Sequence, residues 1–430
     1  MKAINQIKFG GIRFLAKLLF CAIQDFKDVN ENLSPIKLLM ILRARILITL
    51  AEHEKVRFIA TQLLNSGSNT GHYILAISDT LTGKIQNAEN CLRNLTVSHP
   101  AHKEAHYLLA EILNRNGNQA EAIKIMRSLT KKTKNLKPWI VWSNSLKDKF
   151  HFDEYREELD YAESCCKVNG SQATRIKCLA NAALRAKQYQ ELPKIFGRYN
   201  SKNKPLSLKQ RINFWANDYF SIDFGKQALE HIDIVLKQNS VEYFLISGTL
   251  LGCIRENSLL PHDRDLDIGV WLDDGIERVK NLLLTSGYFH FVETRSAELL
   301  KLKHVTGVAI DVFFHKKNKA TITHAGVKTV WHNALFDLKD HEFLGKTFLT
   351  PANYDQYLTE NYGDWRTPKI EFDCALDTPN ATIYNQAEMD VYAQIKILMG
   401  HRRSEEYARL ISEEFQIELT QHLQAKRQPK

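Results

Sequence analysis

Three aspartates, Asp263, Asp265 and Asp267, occupy every second position of "PHDRDLDIGVW", with Leu266, Ile268 and Val270 interleaved among and beyond them. In an extended strand alternate side chains share a face. Asp265 and Asp267, joined by Asp263 if the strand starts early enough, therefore line one side while the aliphatic residues bury the other. Carboxylates held this close repel and raise one another's pKa unless a cation sits between them. Hard oxygen donors suit magnesium, with manganese as the alternative, and magnesium commonly completes its shell with substrate phosphates. A further acid is expected beside the first pair. Asp311, in "GVAIDVFFH", is the candidate, since an aspartate among strand hydrophobes is costly without a partner.

The residues just ahead fit a phosphate. "YFLISGTLLGCIREN" reads as a strand, a Ser-Gly-Thr turn and a short helix. Backbone N–H groups at such a turn and at the helix start can hold an anion, Gly248 allows close approach, and Ser247 and Thr249 add hydroxyls. Arg255 either binds a phosphate or forms a surface ion pair. Lys301 and Lys303 alternate in "LLKLKHV" on the way to Asp311. Either one of them contacts the donor phosphates, with Lys303 the candidate, or both lie on a solvated strand face. His262 and His304 are read as structural in preference to proton-transfer groups.

The segment "GTLLGCIRENSLLPHDRDLDIG" resembles the LicD and fukutin family, whose members have a nucleotidyltransferase fold. "IDVFF" and "LTPANYDQYLTENYGDWRTP" look like that family's later acid and its Y-G-x-W-x-x-P tail, so the resemblance runs from about residue 240 to 370. This chain departs from the pattern at His262 and Arg264, where the family often has Trp and Asp. The resemblance implies transfer of a phosphocholine- or phosphoribitol-like group from a CDP-linked donor to a hydroxyl of a cell-surface glycan. It places Asp265, Asp267, Asp311 and Asp263 on the metal and Ser247, Gly248, Thr249 and Arg255 on the donor. Asp311 is the expected acceptor of the hydroxyl proton. Trp365 carries over from the tail alone, either stacking on a base or sugar or anchoring the loop.

These residues need a framework. The short β-like runs "VEYFLIS", "DLDIGVW", "YFHFVE", "LLKLKHV" and "VAIDVFFH", mixed with helical stretches, predict a mixed α/β domain over 206–430. Upstream, residues 68–135 match themselves at a fixed offset: Ala76 with Ala110, Gly83 with Gly117, Ala88 with Ala122, Leu92 with Met126. Small residues recur where paired helices approach, and each Gly falls at a turn. The pattern resembles the tetratricopeptide repeat and predicts an α-helical solenoid over 34–205, either a structural layer or a groove for a partner protein or the acceptor. "NSKNKPLS" marks the boundary. The fold class expected is α+β multidomain, with residues 1–33 an amphipathic helical segment ahead of both parts.

Composition sets the outer limits. The 430 residues are 44% hydrophobic and 25% charged, as in ordinary globular proteins, and the net charge of +9 favours anionic partners. Seven cysteines show no zinc-like spacing and read as reduced core thiols of a cytosolic protein. No interleaving of aromatic and basic residues suggests an RNA module, so no nucleic-acid partner is expected. "FGGIRFLAKLLFCAIQDF" is interrupted by Arg13 and Lys17 before it could span a bilayer. Basic and free of acids before Asp25, that segment either covers the next helix or rests on an anionic membrane surface. The expected location is the cytoplasm, at the inner face of the cell membrane. Two rival functions stand beside glycan modification: a nucleotidyltransferase moving NMP onto RNA, protein or a small molecule, and a non-catalytic repeat scaffold.

Overall fold

The computed structural model describes residues 14–25, 34–200, 221–369 and 371–425. The expected boundary at 205/206 lies within 201–220, outside the described residues, as does most of the 1–33 segment, of which 14–25 forms a helix. The chain divides into two compact units, neither contiguous in sequence. One comprises Met1–Ala105, Asp218–Gly326 and Val330–Thr382; the other comprises His106–Asn217, Val327–Thr329 and Ile383–Lys430. Among the described residues no helix is long and apolar enough to cross a membrane.

A helical region precedes a mixed α/β sheet. Helices Thr70–Leu81 and Ile85–Ser98, then Lys103–Arg115 and Gln119–Lys132, follow the repeat read in the sequence. Gly83 (φ 74°) and Gly117 (φ 82°) hold the turn inside each pair, in the left-handed region where glycine pays no Cβ penalty. Within the first unit, His53 links helix Thr70–Leu81 to the turn before strand Phe289–Val292. Its Nε2 donates to the Gly287 carbonyl (2.8 Å), which leaves Nδ1 to accept from the Ser78 hydroxyl (3.0 Å). Burial lowers the imidazole below its ordinary pKa and favours this neutral form.

The strands are β1 (Tyr243–Leu245), β2 (Asp265–Trp271), β3 (Phe289–Val292), β4 (Leu299–His304), β5 (Ala309–Lys317), β6 (Thr321–Ala325), β7 (Thr329–Ala334), β8 (Leu338–Phe343), β9 (Lys346–Pro351) and β10 (Ala381–Ile383). Their order is β10-β7-β6-β5-β2-β1-β9-β8, with β4 pairing both β3 and β5. β2 runs antiparallel to β1 and parallel to β5, and β5 is antiparallel to β4. The five strands foreseen in the sequence are β1 to β5. The remaining five were not, because "TITHA", "TVWHNA" and "LKDHEF" carry polar residues on both faces and give no clean alternation.

In β2, Leu266, Ile268 and Val270 are fully buried. Gly269 sits where the sheet closes on aromatic rings: an added Cβ would lie 2.5 and 2.7 Å from Phe244 ring carbons and 2.9 Å from His315. Gly269→Ala is therefore expected to destabilise the protein by about 1–3 kcal/mol through overpacking, read as a lowered midpoint in chemical denaturation. The thiols depart from expectation. Only Cys178 and Cys253 are buried, with their pKa pushed up to about 12 by burial, whereas Cys165 and Cys166 are exposed because they follow the last turn of helix Lys149–Ser164.

Candidate metal centre

The site forms where β1 gives way to helix Ser247–Glu256 and where β2 passes beside β5. Ser247 opens the helix with φ 47°, a strained value for a residue with a side chain. The helix start meets β2 through two hydrogen bonds: the Gly248 N–H donates to Asp267 Oδ2 (3.1 Å), and the Asp267 N–H donates to Thr249 Oγ1 (2.8 Å). A carboxylate here also meets the positive end of the helix dipole. Thr249 is 2% exposed, so its hydroxyl is engaged in holding Asp267 in place and does not face outward to a ligand.

Asp263, Asp265 and Asp267 each bring one carboxylate oxygen within 4.8 Å of the others. Burial, then the repulsion of Asp265, Asp263 and Asp311, pushes the Asp267 carboxyl well above its ordinary range. Burial and Asp263 push Asp265 up to about 7, and burial raises Asp263 as well. A cluster of acids that resist ionising together has the electrostatics of a cation site, and an all-oxygen donor set fits a hard divalent ion.

Asp311 stands directly beside Asp267 in the parallel register of β2 and β5. Its own partner is Lys301, opposite it on β4, whose Nζ reaches Asp311 Oδ2 at 2.6 Å. Burial works against charge on Lys301, but Asp311, Asp265 and Asp267 outweigh it and hold the ammonium above its ordinary pKa. Lys303 is exposed and stands opposite Ala309. Of the alternating lysines, then, Lys301 reaches the acids. The sequence offered both, and only strand register separates them.

The tail motif meets helix Ser247–Glu256. Arg255 Nη1 donates to the Trp365 carbonyl (3.0 Å) while its Nε meets Glu256 (2.8 Å). Trp365 is 6% exposed, donates its indole N–H to Asp355 (3.2 Å) and lies under the Arg366 guanidinium at 4.3 Å. Its ring anchors the loop. Arg255 and Trp365 thus brace the turn after helix Tyr354–Tyr362. That helix also supplies Tyr357, buried, and Tyr362, half-buried, both raised in pKa by desolvation, with a further push from the Asp267 charge. Neither tyrosine carried a signal in the sequence beyond membership of the tail motif.

The two histidines weighed in the sequence sit in different settings. His262 is exposed in the loop before β2. His304 is 1% exposed; its Nδ1 accepts from the Thr306 N–H (3.3 Å), so its Nε2 donates to His231 Nδ1 (2.9 Å). Burial, then His231, lowers its pKa to about 3. The unfolded chain binds this proton near pH 6.5 and the folded protein does not, so the stabilisation is complete above pH 6.5 and is lost as pH falls toward 3. Wild type is expected to lose stability relative to His304→Gln over that window, by at most about 1.4 kcal/mol per pH unit, measured by urea denaturation of both proteins at a series of pH values.

Residues 240–353 match the family model described as LicD/FKTN/FKRP, nucleotidyltransferase domain. The human ribitol-5-phosphate transferase FKTN is 26% identical over 177 residues, covering 38% of this chain and 38% of that protein. The mouse protein of the same name is 26% identical over 170 residues, covering 36% of this chain and 37% of its own length. An uncharacterized protein of Rickettsia prowazekii (strain Madrid E) is 28% identical over 155 residues, 33% of this chain and 57% of its own length. The match spans well under half the length of the transferases that it resembles.

Proposed function

With residues 240–353 belonging to the LicD/FKTN/FKRP family, we propose that the protein is a metal-dependent phosphotransferase. It moves a phospho-alcohol or phospho-sugar group, such as phosphocholine or phosphoribitol, from a CDP-linked donor to a glycan hydroxyl. The observation that carries this reading is the set of three carboxylates whose oxygens lie within 4.8 Å of one another at the start of a helix. Asp265 and Asp267 would hold magnesium or manganese, with Asp263 as a further ligand and Asp311 alongside. Such an ion supplies charge neutralisation of the diphosphate and of the departing nucleotide.

The protein's own residues orient the rest. Ser247 and Gly248 offer the helix start to the diphosphate, Arg255 and Trp365 fix the loop that borders it, and Lys301 holds Asp311. The acceptor hydroxyl oxygen bonds to the phosphorus of the transferred group, the P–O bond to the bridging oxygen breaks, and CMP leaves with that electron pair. The hydroxyl proton passes to a carboxylate, assigned here to Asp311. The helical pairs, read as a tetratricopeptide-like solenoid, would present a glycan acceptor or a partner protein of capsule or lipopolysaccharide assembly on the cytoplasmic side of the membrane.

The test is a panel of CDP-linked donors, including CDP-choline and CDP-ribitol, scored for CMP release. Release that requires magnesium or manganese and increases with a glycan acceptor is expected. The family description keeps one rival in view, transfer of an NMP unit by the same acids. Pyrophosphate release from CTP or ATP, without CMP release from any diphosphate donor, would establish that rival. Failure to bind any cytidine nucleotide with metal would leave a scaffold.

A further inference from the structure

Helix 14–25 and helix Pro35–Thr49 share a core through Ala22, Ile41 and Ala44, and are pinned by the paired hydrogen bonds of Arg45 to Asp25 (2.6 and 2.7 Å). Outside that core the first helix exposes Leu15, Leu19 and Phe20, and the second exposes Ile36 and Leu39, with Leu50 at its end. Five of these six are between 52 and 73% exposed. On the second helix Ile36, Leu39 and Leu50 fall within one narrow sector together with Arg43, opposite the buried Ile41, Ala44 and Ile48. An isolated exposed leucine needs no explanation, whereas a run of them on two packed helices does.

Charge indicates what covers this face. No acid occurs between residues 14 and 24 or between 35 and 51. Lys17, Lys37 and Arg43 form no ion pair among the described residues. Apolar side chains flanked by unneutralised cations match the two terms that bring a helix to a lipid interface: burial of hydrocarbon at the acyl boundary and attraction to anionic headgroups. A second copy of the chain would set these cations against their like, which argues against self-association through this face. We propose that this two-helix face docks the protein on an anionic phospholipid membrane. The inference stands independently of the transferase reading.

Co-sedimentation of the full chain with vesicles tests it. Wild type is expected to pellet with vesicles that contain phosphatidylserine, to pellet less as salt rises, and to bind pure phosphatidylcholine vesicles weakly. The triple variant Phe20→Ser/Ile36→Ser/Leu39→Ser should lower vesicle affinity by about tenfold or more, with an unchanged circular dichroism spectrum because all three side chains already face solvent. Lys17→Glu/Arg43→Glu should abolish the preference for phosphatidylserine. Equal pelleting of wild type and both variants would overturn the proposal. So would failure of wild type to bind, or a dimer in analytical ultracentrifugation that the apolar variant dissociates.

Discussion

Asp267→Asn should lower metal-dependent turnover by about a thousandfold while raising the thermal midpoint of the metal-free protein. The two effects share one cause. Asp267 lies among Asp263, Asp265 and Asp311, and their repulsion, added to burial, already resists its ionisation. An amide at this position keeps an oxygen to accept the Gly248 N–H and turns N–H groups toward the neighbouring acids, so the metal-free fold gains stability from the relief of that repulsion. The same change withdraws a charge from the ion. Loss of several kcal/mol of transition-state stabilisation corresponds to a factor of about a thousand. Calorimetry with and without magnesium, beside single-turnover assays, checks both halves. A variant that kept full activity and still required metal would remove Asp267 from the site.

Gly248→Ala should lower apparent metal affinity and turnover by about 10- to 100-fold without unfolding the protein. A Cβ at this position would overlap Asp263 Oδ2 and come within 3.4 Å of Asp267 Oδ2. Asp263 is in the loop ahead of β2, and its carboxylate can swing aside, so the strain falls on the geometry of the acids and not on the backbone. Gly248→Ala therefore contrasts with Gly269→Ala, whose added methyl meets the rings of Phe244 and His315 deep in the sheet. The first should alter manganese titration and leave denaturation nearly unchanged; the second should do the reverse. If Gly248→Ala titrated manganese like wild type, the helix start would not border the ion.

Much of the acid-bearing sheet was legible because its signals are local. Alternation fixed which face of β2 carries Asp265 and Asp267, since a pleated strand has no other way to separate Leu266 and Ile268 from them. The run of five apolar-rich strands was likewise readable, as were the helical pairs with Gly83 and Gly117 at their turns. Strands β6 to β10 were not: β6 and β7, and β8 and β9, pair as sequence neighbours, but their polar residues leave no clean hydrophobic period to read.

The sequence by itself determined the residue types of the site: an acid-rich strand, a glycine turn ahead of it, a lone acid and two lysines further on, and the family to which they point. Tertiary structure decided which of these meet. The parallel register of β2 and β5 sets Asp311 beside Asp267, and the antiparallel register of β4 gives it Lys301 instead of Lys303. Packing turned the Thr249 hydroxyl inward to the Asp267 amide, and it buried Trp365 as an anchor. It also gathered the helices before residue 105 into one compact unit with the sheet. The physical reason is the same in each case. Periodicity along a chain fixes which face a side chain takes, but the partner across that face is set by the register and packing of one segment against another.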